Sequence, residues 1–359
     1  MTSLWLDVPE ALAPLKHTAR HDSSLKFTLM TFNALAQTLI RRDRYPNCTK
    51  NALKLKTRMP LLVNVIEQHK PDIICLQEID HDHFASNFGS TFTRLGYEWS
   101  FDRKTPKDGK DTAQYGLCVG WKSATFESKW QLILDFDSAE PPCQSKTDWQ
   151  TGCIAQVAAF TTSNPSVGLI VSNQHSYWRP AAKFTKLHQA MVTLEGITDL
   201  KRQLEQVDES GIRWHGFMCG DFNVTPLEAT YRGIRMHKPL TPEMMADLQL
   251  DAEEGAVDTI IKRRESLPRL DSCYSTYRAI VSKSPAPNID HDEPEYTHWS
   301  EGFVGTLDYI FSVRDEELSV KVERLLRIVT LEELRAPIPN ETIGSDHLPI
   351  MAELTLSRA

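Results

Sequence analysis

Short apolar runs, each about as long as a single β-strand, recur along most of the chain. They are rich in β-branched and aromatic residues, which favour strands. Eight strands are predicted on this basis: KFTLMTFNA, PDIICLQEI, YGLCVGW, CIAQVAAF, VGLIVSNQ, HGFMCGDFN, TLDYIFSV and LPIMAEL. The pattern therefore predicts that β-sheet makes up a large part of the fold.

Two stripes of apolar residues at helical spacing interrupt the strands. The first follows i, i+3, i+4, i+7 and ends before a proline, and it is formed by Met59, Leu62, Val63 and Ile66. The second follows the strand VGLIVSNQ and is formed by Leu187, Met191, Leu194 and Leu204. The order of elements mixes crossover units with antiparallel pieces, which favours an α/β fold other than a TIM barrel or a Rossmann fold.

Two regions lack this regularity. Residues 1–24 mix proline, histidine and charged residues without a stable period, and we expect them to form an N-terminal tail that can dock locally. Residues 239–294 contain acidic, basic and proline-rich stretches, which predict a partly helical excursion followed by a loop. Length alone favours about two domains.

Composition narrows the choice of partners and compartment. Forty Lys and Arg residues stand against 48 Asp and Glu residues, and the net charge of −8 argues against binding of duplex DNA through a broad basic face. The seven cysteines are scattered without a C-x-x-C pair, and no apolar run approaches the roughly 20 residues that span a membrane. We expect an intracellular protein without a membrane partner, in the cytoplasm first and in the nucleus or a mitochondrion otherwise.

Several predicted strands end in carboxylate, amide or imidazole side chains. An apolar strand brings its last residues to one edge of a sheet, where residues from different strands can meet in a crevice. The residues in such positions are Asn33, Glu78, Asn173, His175, Asp221, Asn223, Asp308, Asp346 and His347. In GDFN, positions i and i+2 of an extended chain face the same side, so Asp221 and Asn223 can reach one group.

The residue types in this set favour a hard divalent cation and a phosphate substrate. Asp, Glu and Asn supply oxygen ligands, and no cysteine or histidine cluster has zinc spacing. Mg²⁺ prefers oxygen ligands and is commonly bound together with phosphate groups. Histidines beside Asp or Asn suit contacts to phosphoryl oxygens. The expected cofactor is Mg²⁺, with Mn²⁺ as a substitute.

Six segments carry, in order, a resemblance to a known family: FNALA, CLQEID, SNQHSYWRP, GDFNVTP, YTHWSEGFVGTLDYIF and SDHLPI. They resemble the endonuclease/exonuclease/phosphatase superfamily, which includes DNase I and the apurinic endonucleases. Within it, the chain is similar to the carbon-catabolite-repressor type deadenylases with their nocturnin, Angel and Ngl relatives, and it looks closest to the Ngl-type RNA exonucleases. The resemblance covers residues 25–354. It implies a DNase I-like four-layer α/β sandwich, two facing mixed sheets flanked by helices, and one catalytic domain over residues 25–359.

The resemblance also implies roles for the strand-end residues at a metal site. Glu78 would be the principal Mg²⁺ ligand, with Asn33 beside it. Asp221 and Asn223 would lie at the metal and position the attacking water or the leaving oxygen. Asp346 would be a further metal ligand.

Contacts to the substrate follow from the same resemblance. His347, paired with Asp308, would contact the scissile phosphate and stabilise its transition-state charge. Asn173 and His175 would hold non-bridging oxygens. Two residues at positions associated with the terminal nucleobase in the deadenylase group are Pro180 and Phe303.

The function expected from these observations is a Mg²⁺-dependent 3′-to-5′ exoribonuclease. It would act on the 3′ end of single-stranded RNA, release nucleoside 5′-monophosphates and prefer poly(A). A monomer is expected. The leucine-rich repeats by which large deadenylase subunits join their complex are absent from this sequence, which argues against membership of that complex. Two alternatives stay open. One is a phosphatase that acts on a small nucleotide, a 2′,3′-cyclic phosphate RNA end or a phosphoinositide, and the other is an inactive scaffold.

Overall fold

The computed structural model describes residues 4–10, 24–104, 114–139, 150–207, 211–282 and 291–359. Its strands are β1 (Trp5–Asp7), β2 (Leu25–Asn33), β3 (Ile73–Asp80), β4 (Tyr97–Arg103), β5 (Tyr115–Lys122), β6 (Phe126–Asp135), β7 (Ile154–Thr162), β8 (Val167–His175), β9 (Arg213–Asp221), β10 (Leu270–Ser272), β11 (His298–Ser300), β12 (Phe303–Gly305), β13 (Asp308–Val313), β14 (Leu318–Leu326) and β15 (Ile350–Arg358). Its α-helices are α1 (Leu55–His69), α2 (His81–Phe84), α3 (Ser90–Leu95), α4 (Lys183–Val207), α5 (Ala229–Arg235), α6 (Pro242–Gln249), α7 (Ala256–Glu265), α8 (Tyr277–Ser282) and α9 (Leu331–Leu334).

Both predicted helices are present. In α1 the apolar stripe faces the protein interior, and the helix ends where Lys70 adopts a left-handed conformation before Pro71. In α4 the stripe is buried over most of the helix, with Leu187, Met191 and Leu194 among its buried residues. The spacing of apolar residues is therefore sufficient to predict both elements.

The strands form two large mixed sheets and a hairpin. The seven-stranded sheet has the order β1-β14-β15-β2-β3-β5-β4, the six-stranded sheet has the order β10-β13-β9-β8-β7-β6, and β11 pairs with β12. Each large sheet contains one parallel pair, β2 with β3 and β8 with β9, and its other pairs are antiparallel. Helix α1 connects the first parallel pair and α4 connects the second, as parallel pairing requires.

Three apolar clusters hold four layers together. The central cluster lies between the sheets and includes Leu29 and Cys75 from one sheet and Val171 and Phe217 from the other. A second cluster packs α1 on the outer face of the seven-stranded sheet, and a third packs α4, α5 and α7 on the outer face of the six-stranded sheet. The predicted four-layer sandwich of helix, sheet, sheet and helix is confirmed.

The two less regular regions contain elements of their own. Within residues 1–24, β1 pairs with β14 through the register Leu6↔Leu325, so residues 5–7 dock on the seven-stranded sheet. Residues 239–294 contain α6, α7, β10 and α8, which confirms a partly helical excursion, while residues 283–290 of the predicted loop lie outside the described residues. In the described ranges, no helix combines the length and the apolar composition that crossing a membrane requires.

Candidate active site

The carboxyl ends of the two parallel pairs meet in one crevice. Asn33 and Glu78 come from β2 and β3, and His175 lies opposite Asp221 at the ends of β8 and β9. The Asn33 amide nitrogen donates to Glu78 Oε1 at 3.2 Å and to Asp221 Oδ2 at 3.0 Å. His175 Nε2 lies 3.7 Å from the same two oxygen atoms. The structure therefore brings together four residues that the sequence places far apart.

The Asn33 side chain holds both carboxylates in place. Its Oδ1 accepts a hydrogen bond from the backbone N–H of Leu35 at 3.0 Å, and its side chain is fully buried. Two carboxylate neighbours need the donor end of the amide, which fixes this orientation. The predicted role of Asn33 as a metal ligand stays a prediction.

A bulge in β3 aims the Glu78 carboxylate into the crevice. The pairing of β3 with β5 shifts register between Leu76 and Ile79, and Glu78 has a φ of +54°. Bulges redirect a side chain at a sheet edge, and positive φ in a non-glycine residue is uncommon outside functional positions. Glu78 Oε2 accepts a hydrogen bond from Ala36 N at 3.1 Å, while 13% of the side chain stays exposed. Glu78 is thus anchored and still reachable from the crevice.

His347 and Asp308 form a buried ion pair at the same place. His347 Nδ1 lies 2.8 Å from Asp308 Oδ2, which also accepts a hydrogen bond from the Thr297 hydroxyl at 2.6 Å. The other ring nitrogen of His347 is 3.6 Å from Asp221 Oδ2. Burial opposes a charge on the imidazole, but the carboxylates of Asp308 and Asp221 outweigh it and raise the pKa of His347 to about 10. The two carboxylates therefore favour the charged form of the His347 imidazole.

Asp346 has two polar partners that sequence reasoning missed. The Tyr45 hydroxyl donates to Asp346 Oδ2 at 2.8 Å, and His298 Nε2 lies 3.4 Å from that oxygen. Burial alone would raise the pKa of Asp346. The contact with His298 and the charge of His347 outweigh burial and hold that pKa well below its usual range. His298 stands inside a segment that carries the family resemblance, which was the available signal. No pattern marks Tyr45.

His175 is kept neutral beside the carboxylates. Burial lowers its pKa well below the ordinary value, and the charge of Lys104 adds to the effect. Lys104 is itself buried at this side of the crevice, where its Nζ donates to Cys153 Sγ at 3.5 Å. Lys104 is a further residue that sequence reasoning did not single out.

The loop after β9 holds Asn223 next to Asp221. The backbone N–H of Asn223 donates to Asp221 Oδ1 at 2.9 Å, and its carbonyl accepts a hydrogen bond from the buried Lys186 at 2.6 Å. Gly220 precedes Asp221 on β9, and only glycine fits there, because a Cβ would lie 2.0 Å from the carbonyl oxygen of Gln174. The structure thus places Asn223 at the crevice, as predicted.

Asn173 is not part of the crevice. Its amide nitrogen donates to the carbonyl oxygens of Leu76 and Cys118 at 2.9 and 3.1 Å and to Gln156 Oε1 at 3.2 Å. Its oxygen accepts a hydrogen bond from Gln77 at 2.7 Å. The residue is fully buried between the sheets. These contacts correct the prediction that Asn173 holds a substrate oxygen, because its side chain is occupied in joining the two sheets.

The two residues predicted to hold a nucleobase are exposed. Phe303 lies on the β11–β12 hairpin with 39% of its surface exposed, and its ring centroid is 5.4 Å from that of His298. Pro180 is exposed in the turn between β8 and α4. Their exposure is compatible with a contact to a base, and their role stays a prediction.

The acidic side chains of the crevice fit a divalent cation. Burial and the charge of Asp346 raise the pKa of Glu78, and burial raises the pKa of Asp221 to about 7 against the opposing charge of His347. Clustered buried carboxylates of this kind are stabilised by a hard cation with oxygen ligands. Two groups in the described ranges have ligand atoms that all lie within 4.8 Å of one another: Asp221 with Asp308 and His347, and His298 with Asp346 and His347.

Comparison with known proteins agrees with this architecture. A sequence model of the endonuclease/exonuclease/phosphatase family matches residues 30–347, which confirms the resemblance seen in the motifs. A protein named RNA exonuclease NGL2 from Saccharomyces cerevisiae is 25% identical over 421 residues, which cover 95% of this chain and 80% of the relative.

Two solved structures share the fold. ANGEL2, described as a 2′,3′-cyclic phosphatase, superposes with a TM-score of 0.71 at 20% identity, over 98% of this chain and 97% of that structure. The human nocturnin catalytic domain superposes with a TM-score of 0.59 at 21% identity, over 93% and 95% of the two chains. At these identities the likeness establishes the fold alone.

Proposed function

The chain belongs to the endonuclease/exonuclease/phosphatase family, and from that membership we propose that it is a divalent-metal-dependent 3′-to-5′ exoribonuclease. In this proposal it hydrolyses the terminal phosphodiester of single-stranded RNA, releases nucleoside 5′-monophosphates and prefers poly(A) tails. The cation is Mg²⁺, which Mn²⁺ can replace, and residues 25–359 act as one catalytic domain. The buried cysteines of the described residues form no disulfide, which supports a reducing compartment such as the cytoplasm.

The observation that carries the proposal is one crevice in which a buried histidine–aspartate pair lies next to clustered carboxylates. His347 Nδ1 lies 2.8 Å from Asp308 Oδ2, its Nε2 lies 3.6 Å from Asp221 Oδ2, and the Asn33 amide joins Asp221 to Glu78. Hydrolysis of a phosphodiester needs positive charge at the non-bridging oxygens and a positioned water more than it needs a covalent intermediate. The name of the yeast relative supports RNA as the substrate.

Each residue has a separate task in this proposal. Glu78 and Asp346 hold the cation, which when bound supplies Lewis-acid stabilisation of a phosphoryl oxygen. Asp221, fixed by Asn33 and by the backbone of the following loop, orients the attacking water and accepts its proton. His347 donates a charged hydrogen bond to the phosphate, while neutral His175 contacts a second oxygen.

The experiment compares Glu78→Gln with Glu98→Gln, an exposed glutamate on β4. Both variants and the wild type are incubated with 5′-labelled oligoadenylate and mixed-sequence RNA, with Mg²⁺ or with a chelator. We expect the wild type to shorten RNA from the 3′ end only with the metal, and Glu78→Gln to lose about 100-fold or more in kcat/KM. Glu98→Gln should match the wild type.

Two results would overturn the proposal. Activity in the chelator, or unchanged shortening by Glu78→Gln, contradicts the assigned mechanism. Release of inorganic phosphate, or opening of a 2′,3′-cyclic end, with no change in RNA length selects the phosphatase instead.

A further inference from the structure

An exposed tryptophan lies directly beside the candidate active site. Trp178 is three residues past His175, and 61% of its surface is exposed. A tryptophan in a protein interior buries most of a surface of about 150–250 Å². A large aromatic side chain left in water is therefore a candidate contact surface.

The backbone fixes this tryptophan close to the crevice. Ser176 donates its N–H to the carbonyl oxygen of Asp221 at 2.9 Å, and its own carbonyl accepts a hydrogen bond from Asn223 at 3.1 Å. Two residues of chain span at most about 7 Å, so the Cα of Trp178 lies within about that distance of the Cα of Ser176. The next residue, Tyr177, is buried and donates its N–H to Gln189 on α4 at 2.9 Å. Trp178 therefore follows a stretch of backbone that is hydrogen-bonded to β9 and to α4.

A cation lies over the same aromatic surface. The Arg179 guanidinium is 5.9 Å from the ring centroids of both Tyr177 and Trp178. Aromatic rings beside positive charge are how proteins bind single-stranded nucleic acids.

We propose that Trp178 and Arg179 form a subsite for the second nucleotide from the 3′ end of the RNA. The base of that nucleotide stacks on the Trp178 indole, and Arg179 pairs with a phosphate upstream of the scissile one. Pro180, predicted to contact the terminal base, is two residues further along the same exposed turn. The inference rests on the proposed function and adds the position at which the RNA strand leaves the active site.

The test uses two oligoadenylates of the same length, one of which lacks the base at the second position from the 3′ end. Trp178→Ala is compared with Trp130→Ala, a matched variant because Trp130 is 52% exposed on β6. For the complete oligoadenylate we expect Trp178→Ala to raise KM about 5- to 150-fold, the range for loss of one stacked base, with little change in kcat. On the abasic substrate the two variants should behave alike.

Arg179→Gln provides an independent measurement. Loss of one phosphate contact should reduce the slope of log affinity against log salt by about 0.7 for a single strand. An unchanged slope contradicts the phosphate contact. For Trp178→Ala, an equal rise in KM on the complete and the abasic substrate contradicts the stacking contact.

Direct binding separates the subsite from the proposed reaction. Fluorescence anisotropy of labelled oligoadenylate is measured on Glu78→Gln protein with and without Trp178→Ala. If the wild type does not shorten RNA but binding still depends on Trp178, the proposed function falls and the subsite stands. If RNA is shortened and neither KM nor binding depends on Trp178, the subsite alone falls.

Discussion

Arg58 on α1 connects two segments that carry active-site residues, and its replacement offers a quantitative test. The side chain is fully buried, and its Nε donates to the carbonyl oxygen of Gly344 at 2.6 Å. Its Nη2 donates to the carbonyl oxygens of Ala34, at 2.8 Å, and Leu35. Its Nη1 donates to Gln37 Oε1 at 3.2 Å. One guanidinium thus fixes the chain just after Asn33 and just before Asp346 and His347.

The expected effect of Arg58→Met follows from these contacts. Three backbone carbonyls lose their donor, and a buried polar group without a partner costs about 1–3 kcal/mol. The loss of stability summed over the three carbonyls is offset by several kcal/mol, because the variant no longer buries a guanidinium charge. We expect the free energy of unfolding to fall by about 3 kcal/mol. At a temperature where the variant is folded, kcat should also fall, because both segments lose a shared anchor.

Urea unfolding monitored by circular dichroism measures the change in stability. The matched control is Arg94→Met, since Arg94 is 57% exposed and pairs with Glu67 at the surface. Such a pair contributes about 1 kcal/mol or less. The reasoning is refuted if Arg58→Met loses no more stability than Arg94→Met, or if it loses stability with no change in kcat.

Three other predictions concern single side chains. Tyr45→Phe should weaken activation by Mg²⁺ several-fold with little loss of stability, because Asp346 loses a hydrogen bond; an unchanged metal titration would contradict this role. Burial lowers the pKa of His215 to about 4. As the pH falls from about 6.5 to about 4, only the unfolded chain takes up a proton at this residue. The free energy of unfolding should therefore decrease by up to about 3 kcal/mol over that range. His215→Gln should remove that part of the pH slope in urea titrations, whereas the half-exposed His81→Gln should keep it. Asn173→Leu should destabilise the protein by about 2–4 kcal/mol in the same assay, because the glutamine side chains and backbone carbonyls that Asn173 contacts between the sheets lose their hydrogen bonds. A variant that loses activity but keeps full stability would instead support a catalytic role for Asn173.

The central strands could be predicted from the sequence because they are buried on both faces. β3, β8 and β9 therefore appear as continuous apolar runs, and their polar ends mark the crevice. The strands that were missed lie at or next to sheet edges. β4 and β6 are edge strands and β14 is next to one, and all three mix polar with apolar residues because one face or edge meets water.

The residues of the candidate site also fall into a group that the sequence identified and a group that it missed. Glu78 and Asp221 were identified because they lie where buried strands end, and strand direction delivers them to one edge. Asp308 begins β13 instead of ending it, and it reaches the same edge because β13 runs antiparallel to β9, where it pairs with Asp221. Tyr45 and His298 do not stand at the ends of predicted strands, and they reach Asp346 only through long-range packing. Sequence distance carries no information about such contacts.

The sequence by itself determined the central strands, the two crossover helices and most of the polar residues at the crevice, and the family resemblance implied the four layers. The strands and helices follow from local periodicity. The tertiary structure alone decided that Asn33 donates to two carboxylates, that Asn173 joins the sheets and that Trp178 stays exposed. Which way an amide faces, and whether an aromatic ring is covered, depends on the neighbours that folding brings from distant parts of the chain.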